Sequence, residues 1–187
     1  MKFGIFVGSF NPPTKAHFDI AHYLYDNNIL NKIVFVPVNN EKKGLVSLEK
    51  RLDMLNSYIK KYDYLCVSKI MQNYQSFNYQ VLDELRNIYE DIYIIMGSDL
   101  LERFSSFTNY QDMLEKYHFI IIPRFGIDSA MIIKKEYPDY QEKFIIVDYH
   151  SNVSSSLVRE MVKENKDIRD IVPENIKDYI IKEMLYQ

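Results

Sequence analysis

Six short apolar runs recur along the chain: residues 3–7, Ile33–Val36, Tyr64–Val67, Ile92–Met96, Phe119–Ile122 and Phe144–Val147. Each is continuous rather than alternating, the pattern of a strand covered on both faces. Helical periodicity fills the stretches near 16–27, 48–60, 77–89, 99–115 and 128–136. Strand and helix in alternation predict an α/β fold with a doubly wound parallel sheet. In such sheets ligands bind beyond the carboxyl ends of the strands, and every strand-to-helix loop falls on that one edge. After the last run, Ser154-Ser155-Ser156 opens a further helix, serine being a favoured cap. Pro173 starts a final helix over 174–185, with Ile176, Ile180, Ile181 and Met184 as its packing stripe. The expected organisation is a single domain over 1–187, with a C-terminal helical portion at about 154–187.

Composition narrows the function classes. The 187 residues are 47% hydrophobic, enough to bury a real core. A net charge of −3 gives no general basic footprint for nucleic acid. Cys66 is the one cysteine, set in an apolar run, so a buried, inert thiol is expected, with no intrachain disulfide and no Cys/His metal spacing. Met1-Lys2 leads straight into the first run, so no signal peptide is expected. No apolar stretch approaches the roughly 20 residues of a membrane span. The expectation is a cytoplasmic protein without membrane or nucleic-acid partners, homo-oligomerisation being left open.

The first apolar run ends in Gly8-Ser9-Phe10-Asn11-Pro12-Pro13-Thr14-Lys15-Ala16-His17. A buried strand, a Gly/Pro turn and a helix start make a setting for a polyphosphate. The first N–H groups of a helix lack intrahelical partners and carry partial positive charge. Gly8 is read as leaving room for a ligand to approach the backbone, and Pro12 and Pro13 as stiffening the turn. Thr14 and His17 place a hydroxyl and an imidazole beside the anion.

This segment resembles the signature of the nucleotidyltransferase superfamily: Gly, Thr or Ser, Phe, Asp or Asn, Pro, any residue, His or Thr, any residue, Gly, His. Ala16 departs from it, standing where the family has Gly. Val153-Ser154-Ser155-Ser156-Leu157-Val158-Arg159 is similar to the superfamily's second, C-terminal motif. The middle of the chain resembles nicotinate or nicotinamide mononucleotide adenylyltransferases. The segments that carry this are Pro37–Lys43 with Arg51-Leu52-Asp53-Met54-Leu55, Ser76-Phe77-Asn78 before Leu82–Leu85, and Gly97-Ser98-Asp99-Leu100-Leu101. Pro123-Arg124-Phe125-Gly126, Ile168–Pro173 and Tyr179-Ile180 continue the resemblance to the end of the chain. Two departures bear on the substrate: Phe107 stands where the family often has Trp, and Asn78 replaces the common Thr.

The resemblance implies a Rossmann-like nucleotidyltransferase fold and adenylyl transfer from ATP to nicotinate mononucleotide in NAD biosynthesis, nicotinamide mononucleotide being a further acceptor to test. It assigns His17, Thr14 and Arg159 as catalytic, with Thr14 donating to the β/γ-phosphates and Arg159 holding the pyrophosphate. Gly8, Ser9, Phe10, Gly97, Asp99, Ser155, Ser156 and Arg124 would bind ATP, Asp99 through the ribose hydroxyls. Asn11, Lys42, Lys43, Arg51, Asn78 and Phe107 would bind the mononucleotide; for Arg51 and Arg124 a surface salt bridge is the alternative. Phe107 can stack on a pyridine ring, and the Asn78 amide can donate or accept. Mg²⁺ is expected to arrive with ATP, held by phosphates and water, with no protein metal ligand. His22, His118 and His150 carry no motif. Two alternatives remain: pantetheine-phosphate adenylyltransferase, which shares both phosphate motifs, and a non-catalytic nucleotide sensor on the same fold. The absence of a Gly-x-x-x-x-Gly-Lys loop excludes an ordinary P-loop kinase.

Overall fold

The apolar run around Ile5 forms the middle of the sheet. The computed structural model describes residues 1–39 and 45–187. Strands β1 (Lys2–Gly8), β2 (Lys32–Pro37), β3 (Leu65–Val67), β4 (Asp91–Gly97), β5 (His118–Ile122) and β6 (Phe144–Ile146) pair in the order β3-β2-β1-β4-β5-β6, every pair parallel. The chain steps outward from β1 to β3, then returns to β4 on the other side of β1. Their registers, Phe6↔Ile95 and Gly8↔Pro37, bring Gly8 and Gly97 to the same edge. In doubly wound sheets ligands bind where the strand order reverses, which here is between β1 and β4.

Helices α1 (Lys15–Asp26), α2 (Leu48–Ile59), α7 (Ser155–Lys163) and α8 (Glu174–Lys182) cover one face; α3 (Tyr79–Ile88), α4 (Ser98–Leu101), α5 (Tyr110–Lys116) and α6 (Ser129–Glu136) cover the other. The strands divide residue by residue between two cores. Phe6, Ile33, Phe35, Tyr93, Ile95, Ile120 and Ile122 face the first layer. Ile5, Val34, Val36, Ile92, Ile94, Met96, Phe119 and Ile121 face the second. Successive side chains point to opposite faces, so a strand covered twice needs apolar residues at every position. Gly4 is a packing necessity: a Cβ there would overlap the side chains of Leu30 and Ile95.

Several elements depart from the sequence reading. The expected helix over 99–115 breaks into α4, a 3₁₀ turn at Phe104–Ser106, and α5. Phe107 is extended and Asn109 takes a left-handed φ of 62°. Phe104 is buried edge-on against Phe107, Tyr110, Phe119 and Tyr137, and this packing outweighs a straight helix through Ser105, Ser106 and Thr108. The stripe on α8 is narrower than expected. Ile176 and Ile180 are buried, whereas Ile181 is exposed within the helix and Met184 is exposed past its end at Lys182, where it takes φ 48°. Cys66 is only half-buried, since β3 is an edge strand, and Ile146 on the opposite edge is exposed. Among the described residues, no helix is long and apolar enough to cross a membrane.

Candidate functional site

Thr14 caps α1 and His17 occupies its third position, so the helix start itself orients the imidazole. The Thr14 backbone N–H donates to His17 Nδ1 at 3.0 Å, and the Thr14 hydroxyl lies 2.8 Å from the same nitrogen. A backbone N–H can only donate, so Nδ1 is the acceptor and the ring proton sits on Nε2. The ring packs edge-on against Phe10, 5.1 Å between centroids, and lies 6.0 Å from Phe6. Burial lowers its pKa to about 4, and the positive charge of Arg124 adds to the effect. His17 is therefore a neutral imidazole with an Nε2–H to donate.

Two expectations about this turn are corrected. The Thr14 side chain has no exposure and its hydroxyl is turned to His17, so it positions the imidazole instead of offering a hydroxyl to β/γ-phosphates. The space beside Gly8 is filled by the protein itself: a Cβ there would stand 3.0–3.3 Å from the Phe10 ring. Phe10 adopts φ 46°, which folds its ring back into the core.

Helix α7 docks on the same turn. Ser154 caps it by accepting from the Leu157 N–H at 3.1 Å. Ser155 Oγ donates to the Pro12 carbonyl at 2.7 Å. Arg159 Nη1 donates to the Asn11 carbonyl at 2.7 Å, and Nη2 to Ser156 Oγ at 3.0 Å. Residues over 140 positions apart thus meet on the Asn11–Pro12 segment of the first turn. A guanidinium has five N–H donors, and these two bonds account for two of them among the described residues.

At the neighbouring strand end, the Arg124 N–H donates to Ser98 Oγ at 2.9 Å. Its Nε lies 3.9 Å from Asp99 Oδ1, with both side chains open to solvent. A Cβ on Gly97 would collide with the Asp99 carboxylate and sit 3.4 Å from Arg124 Nε, so glycine is what lets this pair lie over the strand end.

The cytidylyltransferase-like family model matches residues 5–161, a span that takes in both phosphate motifs. The chain belongs to this family. Among its cytidylyltransferase-like relatives, a protein of Acholeplasma laidlawii named "Probable nicotinate-nucleotide adenylyltransferase" is 30% identical, over 98% of this chain and 96% of its own. One of Carboxydothermus hydrogenoformans with the same name is 29% identical, over 100% of this chain and 98% of its own. The fold is similar to that of Plasmodium falciparum nicotinic acid mononucleotide adenylyltransferase complexed with NaAD, with a TM-score of 0.80 and 23% identity, over 99% of this chain and 97% of that one.

Of the remaining residues, Arg51 departs furthest from expectation. It is 1% exposed, with Nε donating to the Val46 carbonyl at 3.0 Å and Nη1 to those of Ser9 and Val38 at 2.8 Å. It is neither a surface ion pair nor presented to a mononucleotide; it ties the first turn to both ends of the β2–α2 connection. Asn11 is likewise buried, its side-chain oxygen accepting from the Val46 N–H and the Tyr186 hydroxyl. Asn78 is exposed and caps α3, its Oδ1 accepting from the Val81 N–H at 3.2 Å. Phe107 is partly buried, its ring edge-on to Phe104. Lys42 and Lys43 lie outside the described residues. Sequence reasoning missed Tyr186: it falls beyond the helical periodicity of α8, so no pattern placed it beside Asn11.

Proposed function

We propose that this chain transfers the adenylyl group of ATP to nicotinate mononucleotide. The mononucleotide's 5′-phosphate oxygen forms a bond to the α-phosphorus, the bond from that phosphorus to the α,β-bridging oxygen breaks, and the pair of electrons leaves with pyrophosphate. The observation that carries this reading is the docking of Ser155 and Arg159 onto the Asn11–Pro12 carbonyls of the turn that leads to His17. It makes a two-sided anion clamp at the carboxyl edge of the sheet.

Within that clamp, His17 Nε2–H donates to the α/β-phosphate oxygens as their charge grows, and Arg159 takes the departing pyrophosphate. Neither group forms a covalent bond; positioning and charge stabilisation carry the rate. The Gly8–Phe10 backbone lines the nucleotide, and Asp99 and Arg124 are placed for the adenosine ribose and phosphates. Ser156 supports Arg159. Mg²⁺ would arrive with ATP, held by its phosphates and water, and would supply positive charge to offset theirs. A cytoplasmic location suits a reaction fed by ATP.

The acceptor follows from the relatives' names and from Asn78. With its oxygen engaged in the α3 cap, its NH₂ is the group left to donate, which suits a carboxylate acceptor and so nicotinate over nicotinamide. Pyrophosphate release is the assay. Nicotinate mononucleotide is expected to turn over, nicotinamide mononucleotide more slowly, and phosphopantetheine not at all. His17→Ala is expected to lower kcat by about 10²–10³, the usual cost of losing one preorganised oxyanion donor. Turnover with phosphopantetheine alone would overturn the reading, and absence of turnover with all three would favour a nucleotide sensor.

A further inference from the structure

We propose that Tyr186 is a positioning residue of the phosphate clamp: its hydroxyl fixes the Asn11 side chain and, through Asn11, both Arg159 and the α2-side end of the β2–α2 connection. The Tyr186 hydroxyl donates to Asn11 Oδ1 at 2.9 Å. The Val46 N–H donates to the same atom at 3.2 Å. Because an N–H can only donate, that atom is the amide oxygen, and both its lone pairs are taken. The main-chain carbonyl of Asn11 accepts from Arg159 Nη1 at 2.7 Å. One buried residue of the first turn therefore joins α7, the start of α2 and the segment beyond α8.

Three features point to the hydroxyl rather than the ring. Leu185, 6% exposed, already supplies apolar contact with the first core layer. Met184 and Tyr186 both take left-handed conformations, with φ 48° and 66°, which non-glycine residues hold only where the surroundings impose them. The turn they make delivers the phenol to Asn11. Burial raises the phenol's pKa although Arg159 and Arg51 stand near enough to pull it down, so it remains a protonated donor flanked by two guanidinium groups.

Arg159's grip on pyrophosphate belongs to the proposed reaction, on which this inference rests; the Tyr186–Asn11–Val46 link does not. Tyr186→Phe removes only the hydroxyl. The expected result is a roughly tenfold fall in kcat, as for the loss of about one hydrogen bond's worth of transition-state stabilisation, with KM for ATP within about twofold. Hydrogen exchange at the Val46 amide is expected to speed about tenfold while exchange in β1 and β4 stays unchanged. An unchanged kcat overturns the proposal, as does a fall in kcat accompanied by faster exchange throughout the sheet, which marks general loosening. If the unsubstituted protein does not turn over nicotinate mononucleotide, the proposed reaction fails separately. Titration with inorganic pyrophosphate then decides: weaker binding by Tyr186→Phe supports the positioning role, and equal binding overturns it.

Discussion

His17 shows how one side chain acquires its chemistry from its surroundings. An imidazole in an unfolded chain titrates near 6.5. Here burial, and then the charge of Arg124, bring it to about 4. Between these values the unfolded chain binds more protons than the folded one, so stability rises with pH across that window. The contribution is fully present above about 6.5 and is lost as pH falls toward 4. In the ligand-free protein, the His17 ring resonances are expected to keep their neutral, Nε2-protonated pattern from pH 8 down to about pH 5. An NMR midpoint near 6.5 would show that the ring's surroundings do not disfavour its charged form. The sequence made His17 the leading candidate through its place in the Gly8–His17 turn. It left the tautomer open, because that depends on the Thr14 N–H reaching Nδ1.

At the scale of elements, a buried cation ties both described ends of the β2–α2 connection to the first turn. Arg51 projects from α2 and satisfies carbonyls at Ser9, Val38 and Val46. Burial lowers its pKa, yet guanidinium stays charged, so those carbonyls are paid for by the cost of desolvating it. Arg51→Met keeps much of the volume and removes every donor. It is expected to lower stability to urea unfolding by at least about 2 kcal/mol, because several backbone acceptors lose their partners together; a loss under about 0.5 kcal/mol would contradict this account. The strands and most helices were legible because a doubly covered strand must be apolar throughout. The break at Phe107–Asn109 was not, because Phe104 is placed by Phe119 and Tyr137, which are distant in sequence. Arg51 was misjudged for a related reason: a local pattern registers an arginine on a helix, not the three carbonyls that converge on it.

For the whole molecule, the central strand is where the two layers and the site edge meet. Gly4 lies near the amino end of β1, away from the Gly8 edge, and its missing side chain admits Leu30 and Ile95. Gly4→Ala is expected to destabilise the protein by about 1–3 kcal/mol through overpacking. Its KM values should stay close to those of the unsubstituted protein; a large KM change without loss of Tm would contradict this division of roles. The sequence by itself determined the parallel doubly wound architecture and singled out the Gly8–His17 and Val153–Arg159 segments. Strand burial and helix capping are written in local residue patterns, and these are enough to place the motifs on the carboxyl edge. Only the tertiary structure decided which of those residues turn inward to face one another. Thr14, Asn11, Arg51 and the Phe10 ring turn inward, and Tyr186 joins them, because each is satisfied by a partner brought close by folding. Hydrogen bonds and buried charge depend on which groups meet in space, and that pairing is absent from local sequence periodicity.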